Sequence, residues 1–162
     1  MFRTRQISAL VLTLLLGLCA WSGPLQAQEL QPLKIASKGK THEFKVEVAR
    51  TGEELGRGLM FRRHMPRDRG MLFVFPREEE IRMWMRNTYI PLDMIFIRAD
   101  GRIHRIARNT TPRSERTISS GAPLRFVLEV NAGVTRRLGI RPGDRILHPA
   151  FEASEKPPAA AR

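Results

Sequence analysis

From residue 33 onward the apolar residues come in short runs, each closed by a turn signal, and this pattern constrains the fold more than any other feature of the chain. Thr41 to Val48 (THEFKVEV) alternates apolar Phe44, Val46 and Val48 with polar neighbours, the period of a half-buried strand. Leu33 to Ala36 pairs with it across Lys38-Gly39-Lys40. Gly70 to Phe75 (GMLFVF) reads as a buried strand, and Ile81 to Thr88 (IRMWMRNT) as the next. Leu92 to Ile97 and Arg102 to Arg108 flank Ala99-Asp100-Gly101, whose Asp-Gly step favours a hairpin. Leu124 to Val130 and Gly143 to Leu147 complete the strands.

Helical spacing is confined to two places. Thr51 followed by Glu54 forms a capping-box pair, with Leu55, Leu59 and Met60 recurring through Arg63, although Gly56 and Gly58 weaken the helix. Ala132 to Leu138 reads as a shorter one. The expectation is a mainly β, compact single-domain sandwich or barrel of seven to eight short strands with one or two short helices. There is no repeat and no long parallel βαβ pattern.

The first 27 residues read as a leader. Arg3 and Arg5 precede an uncharged apolar run from Ile7 to Cys19 that decays at Trp21-Ser22-Gly23-Pro24, short of the roughly 20 residues needed to cross a bilayer. Leu25-Gln26-Ala27 then offers a cleavage site, so residues 1–27 are assigned as a signal peptide and the chain as periplasmic or secreted, without a permanent membrane anchor. Leu18 stands where a lipoprotein peptidase takes a small residue, which argues against lipidation of Cys19. Because Cys19 is the single cysteine, cleavage near Ala27 leaves no thiol for disulfide, metal or nucleophile chemistry. Residues 28–32 are read as a flexible lead-in, 33–151 as the domain and 152–162 as a disordered tail.

The formal net charge of +12 would attract anions, including anionic components of the cell envelope. Arginine far outnumbers lysine and is scattered, with no basic run resembling a nucleic-acid motif, so nucleic acid is not expected as a partner. A phosphate-binding glycine loop, a nucleophile elbow and a zinc cluster are all missing from the sequence, and no cofactor or metal is assigned.

Residues 81–93 (IRMWMRNTYIPLD) carry the most chemistry. Read as a strand, they place Ile81, Met83 and Met85 on one side and Arg82, Trp84, Arg86 and Thr88 on the other, where a tryptophan between arginines forms a stacking platform for a sugar or an anion, or a structural cover. Asp93 runs in phase with Ile95 and Ile97, and Glu129 in phase with Val127 and Asn131. An acid in so apolar a strand needs a partner or a shifted pKa, which makes both catalytic candidates as well as candidates for structural pairing.

The ordered motifs Arg57-Gly-Leu-Met60, Gly70-Met-Leu-Phe73, Trp84-Met85 with Asn87-Thr88, Ile90-Pro-Leu-Asp93 and Leu128-Glu-Val-Asn-Ala-Gly133 closely resemble the bacterial and archaeal family called domain of unknown function 192. The resemblance spans about residues 41–148. It implies a compact, mainly β domain, often carried behind a signal peptide, with no established activity. Its motif positions fall here on Trp84, Met85, Asn87, Thr88, Pro91, Asp93, Glu129, Asn131 and Gly133, without assigned roles.

Three functional readings follow. In the first, Trp84, Asn87, Thr88, Asp93, Glu129 and Asn131 line one pocket for a small polar or saccharide-like ligand. In the second, Asp93 and Glu129 form the carboxylate pair of a hydrolase, which requires them about 5 Å apart for retention or roughly 6.5–9.5 Å for inversion. In the third, Met83 and Met85, within a set that includes Met60, Met65, Met71 and Met94, bind Cu(I) with a histidine; the same methionines serve equally as core filler. The oligomeric state is not legible.

Overall fold

The computed structural model describes residues 29–151; the expected signal peptide and the tail lie outside the described residues. The elements are β1 (Gln31–Ser37), β2 (Lys40–Ala49), α1 (Gly52–Arg57), β3 (Arg69–Met83), β4 (Leu92–Ile97), β5 (Ile103–Ala107), β6 (Ile118–Asn131), α2 (Val134–Leu138) and β7 (Arg145–Leu147). The fold is mainly β, as the short apolar runs require. Its seven strands form one sheet in the order β5-β4-β6-β3-β2-β1-β7, curled into a half-barrel.

Curling brings the two edges back toward each other. Arg102, just before β5, bridges Arg145 of β7, and Ile146 N–H donates to Gly101 C=O at 2.8 Å while Ile103 N–H donates to Asp144 C=O at 2.9 Å. The concave side encloses one apolar cluster built from Leu33, Ile35, Val46, Leu72, Ile95, Phe126, Leu128 and Ile146, closed at one end by Val134 and Ile140 around α2. The convex side of β2, β3, β4 and β6 carries a second cluster, with Met71, Phe73, Met94, Phe96 and Val127 covered by Leu59, Met65, Met85 and Ile90. One curled sheet, buried on its concave side and covered on its convex side over β3, β4 and β6, thus takes the barrel-like form of the two expected, while β1 and β2 leave alternate residues exposed.

Several expected boundaries move, each for a physical reason. Gln31 and Pro32 are not a lead-in, because they pair with Val46 and Lys45 as the first residues of β1. The strand expected at 70–75 and the start of the one expected at 81–88 are one long strand, β3, which ends at Met83 and whose register against β6 slips between Val74 and Glu79. A bulge accommodates the charged residues 77–80, and Arg125 Nε donates to the Phe75 carbonyl at 2.8 Å. The parallel pair β2/β3 contains α1 in its connection, a short βαβ unit that the sequence did not announce. The α1 helix stops at Arg57 rather than Arg63, because Gly58 takes φ +46 and turns its N–H back to Glu54 C=O.

Candidate functional site

The site is built on the convex face of β6. Glu129 stands opposite Met71 of β3 and Met94 of β4, so on its own face its cross-strand neighbours are thioethers. Above it lie α1 and the segments that follow α1 and β3. The α1 helix starts with its capping box complete: Thr51 Oγ1 accepts from Glu54 N–H at 3.2 Å, and Glu54 Oε2 accepts from Thr51 N–H at 2.9 Å. At the other end, a Cβ on Gly58 would stand 3.0 Å from the ring of Phe73. The glycine thus lets the helix end close over the sheet as well as supplying the turn.

Beyond β3 the chain does not continue as a strand. Residues after Met83 form a turn in which Thr88 N–H donates to Met85 C=O at 3.0 Å. Strand alternation therefore fails for Trp84, Arg86 and Thr88: Trp84 is exposed, Thr88 is buried, and Met85 is fully buried. The stacking survives in part, since the Arg86 guanidinium lies 4.1 Å from the Trp84 ring centroid. Arg82, on β3, has no part in it.

Between these covers and the sheet lies a cavity of about 30 Å³, lined among others by Arg57, Gly58, Met60, Met83, Trp84, Thr88 and Glu129. Its volume suits one water-sized group. A larger hollow of about 410 Å³ shares Arg57, Gly58 and Met60 with it and adds Glu53, Glu54, Phe61, Arg62 and Met71. Met71, in the larger hollow, is the cross-strand partner of Glu129, so the two floors adjoin. Arg62 is fixed there by a bidentate pairing to Glu47 at 2.5 and 2.6 Å.

Glu129 is 4% exposed, and among the described residues no hydrogen bond or ion pair reaches its carboxyl. Burial alone pushes its pKa up to about 8, because the charged form loses water and gains no partner. Burial thus favours its protonated form, a carboxylic acid that both donates and accepts a hydrogen bond.

Of the six residues expected in one pocket, Trp84, Thr88 and Glu129 do line a common cavity. Asn87 braces its wall: its carbonyl accepts from Phe61 N–H at 2.8 Å, and its Nδ2 lies 4.0 Å from Met60 Sδ. Asn131 Nδ2 donates to the carbonyls of Met65 and Pro66, each at 3.0 Å, which pins the segment leading into β3.

Asp93 does not belong to the set. It lies opposite Val130, on the concave face, where Oδ1 accepts from Asn109 N–H at 3.0 Å and Oδ2 from Thr135 N–H at 3.1 Å and Thr135 Oγ1–H at 2.7 Å. The sheet separates it from Glu129, and this corrects the carboxylate-pair reading: a hydrolase needs both acids on one substrate bond.

The copper reading also loses its pair. Met83 faces the cavity with Met60, whereas Met85 is closed in the core with Thr110 Oγ1 at 3.1 Å from its sulfur. No histidine lines the cavity. Sequence reasoning missed Arg57 and Met60, which lie within the motif Arg57-Gly-Leu-Met60 and line both hollows; the helix-weakening Gly58 between them was the available signal.

The sequence model of domain of unknown function 192, described as an uncharacterized ACR, matches residues 33–148. No curated protein matches the chain. Among solved structures, a protein from Sinorhizobium meliloti described as "a putative transcription regulator" is 44% identical, with a TM-score of 0.74, and the match covers 76% of this chain and 96% of that one. A protein of unknown function from Novosphingobium aromaticivorans is 38% identical, with a TM-score of 0.74, covering 78% of this chain and 90% of that one.

Proposed function

This chain belongs to the domain of unknown function 192 family, and within that family we propose that it is an exported binding domain that takes a small polar, saccharide-like ligand over Glu129. The observation that carries the reading is an unpartnered, buried carboxyl facing a cavity beside an exposed tryptophan. With no partner among the described residues, the carboxyl opens to the cavity it lines, where a ligand hydroxyl or amide would supply a hydrogen bond. The cavity over Glu129 admits one such group, the adjoining hollow has the size of a small-molecule site, and Trp84 offers a face for a sugar ring. Export is supported by the leader-like residues 1–27.

Trp84 and Trp21 are the two tryptophans of the chain, so a protein starting at Gln28 has Trp84 as its sole fluorescent indole. Titration with glucose, N-acetylglucosamine, its β-1,4 disaccharide and maltose is expected to give saturable quenching or shift with at least one of them. Glu129→Ala is expected to weaken that binding about tenfold, corresponding to about 1.4 kcal/mol for a lost hydrogen bond. A flat response to all four sugars at concentrations on the order of 10 mM rejects the saccharide class.

A further inference from the structure

Four large apolar side chains are exposed among the described residues, and three of them, Phe61 (56%), Trp84 (45%) and Tyr89 (40%), are neighbours: Trp84 lines one cavity with Met60 and Thr88, which precede Phe61 and Tyr89 in the chain. They come from two segments that are tied together. Phe61 N–H donates to Asn87 C=O at 2.8 Å, and the Phe61 and Tyr89 rings meet edge to face at 6.2 Å. A third segment joins through Arg113 N–H, which donates to Thr88 C=O at 3.0 Å. Phe61, Asn87 and Arg113 all hold left-handed backbone, at φ 65, 57 and 61. Side-chain-bearing residues adopt that conformation at a cost, and here it occurs where the three segments meet.

Arginines ring these aromatics. Arg63, Tyr89, Pro112 and Arg113 line an open hollow of about 490 Å³ with no acid in its wall, and Arg86 lies over Trp84. Among the described residues, none of Arg63, Arg86 and Arg113 forms an ion pair; Arg62 is the neighbour that does, with Glu47. Two carboxylates, Glu53 and Glu54, share the hollow of about 410 Å³ with Phe61, and exposed Glu115 follows Arg113 by two residues, whereas the hollow of Arg63 and Arg113 holds no acid.

We propose that this patch is a docking surface for an anionic lipid bilayer, with Phe61, Trp84 and Tyr89 entering the headgroup region and Arg63, Arg86 and Arg113 meeting lipid phosphates. Charge complementarity selects an anionic surface, in keeping with the net +10 that remains of +12 when Arg3 and Arg5 leave with residues 1–27. The aromatics select lipid over a hydrated polyanion. Trp and Tyr are the side chains of the membrane interface, and Phe61, the most exposed of the three, has no polar atom with which to reward a polysaccharide. The proposed attachment is through this patch; no helix among the described residues is long and apolar enough to cross a membrane. It would hold the Glu129 cavity, whose wall includes Trp84, at the level of the headgroups.

The test uses residues 28–162, free of the apolar leader segment. The Sinorhizobium relative, of which 96% is covered by this match, shows that the domain stands without further segments. Flotation with phosphatidylcholine vesicles is compared with vesicles containing about three parts in ten phosphatidylglycerol, at low and raised salt, while Trp84 emission is followed. Binding is expected to rise at least fivefold with phosphatidylglycerol, with a blue shift of Trp84. It is expected to fall about tenfold in the double variant Phe61→Ser/Tyr89→Ser and in Arg63→Gln/Arg113→Gln, both checked for unchanged thermal unfolding. Leu147→Ser, at the fourth exposed apolar residue, should bind as the parent does. The proposal is overturned by absent binding, by a Phe61→Ser/Tyr89→Ser variant that binds normally, or by charge-driven adsorption without a Trp84 shift. Binding to soluble alginate in place of vesicles, with the same dependence on these residues, would make the patch a polysaccharide surface and equally overturn it.

Discussion

Asp93 and Glu129 sit on neighbouring strands one residue out of step: Asp93 lies opposite Val130, and Glu129 opposite Met94. Because side chains alternate across a sheet, that single step sends the two acids to opposite faces. Asp93 receives three hydrogen bonds, whereas Glu129 receives none among the described residues. One acid is thus committed to structure and the other is left open to a ligand.

The structural acid is expected to be costly to remove. Gly133, at the N-cap of α2, has no side chain to cap the helix, and Asp93 does so from the adjoining strand through the Thr135 N–H. Asp93→Ala would orphan that donor, the Thr135 hydroxyl and the Asn109 N–H, at a cost of about 2–4 kcal/mol. Thermal unfolding should register this as a clear drop in Tm, while any affinity measured at the Glu129 cavity stays near that of the parent.

Glu129 should make stability depend on pH in a direction opposite to that of most carboxylates. Its folded pKa of about 8 stands above the ordinary 4.5, so between these values the folded state holds a proton that the unfolded state has released. Stability is then full below about pH 4.5 and declines as pH rises toward 8, by on the order of a few kcal/mol. Glu129→Gln removes the titration. Denaturant unfolding at pH 5 and pH 8.5 should show the parent losing more stability than the variant over that interval; equal losses would place the carboxyl in contact with water or a cation.

How far the sequence reached can be judged from these same strands. The phases of Asp93 with Ile95 and of Glu129 with Asn131 were legible, because period-two alternation survives in β4 and β6. What alternation could not show was which residue of one strand faces which of the next, and that register decides whether the acids meet. The mainly β class and the capping box at Thr51 were legible too, both being local. The long β3 was not, because charged residues 77–80 look like a loop when the bulge that absorbs them depends on β6. Trp84 and Thr88 were expected on one face of a strand. They instead reach one cavity through a turn, which depends on the left-handed Asn87.

The capping box links helix stability to the site. Thr51→Ala removes the acceptor for Glu54 N–H and is expected to cost about 0.5–2 kcal/mol. In a helix of only six residues the loss should surface as fraying of α1, which carries Arg57 and leads into Gly58 at the cavity. Amide exchange should quicken across residues 52–58, and affinity at the cavity should weaken although Thr51 does not line it.

Two glycines near the site should respond to alanine in opposite ways. Gly70 pairs with Val130 at the start of the β3/β6 ladder, and a Cβ there would stand 2.5 Å from the Glu129 carbonyl oxygen and 3.2 Å from Val130 Cγ1. The obstacle is backbone, which cannot swing aside, so Gly70→Ala must push β3 away from β6 where Glu129 is held. A loss of about 3 kcal/mol or more is expected, together with loss of binding at the cavity. Gly56, inside α1, meets nothing within 4 Å, and its alanine variant should gain about 0.5–1 kcal/mol by relieving the entropy cost of a helical glycine. Gly56 is exposed and its added methyl would point into open space, so the variant should raise Tm and leave ligand binding at the cavity unchanged. A Gly70→Ala variant as stable as the parent would mean that the two strands are not held at the close approach described for them.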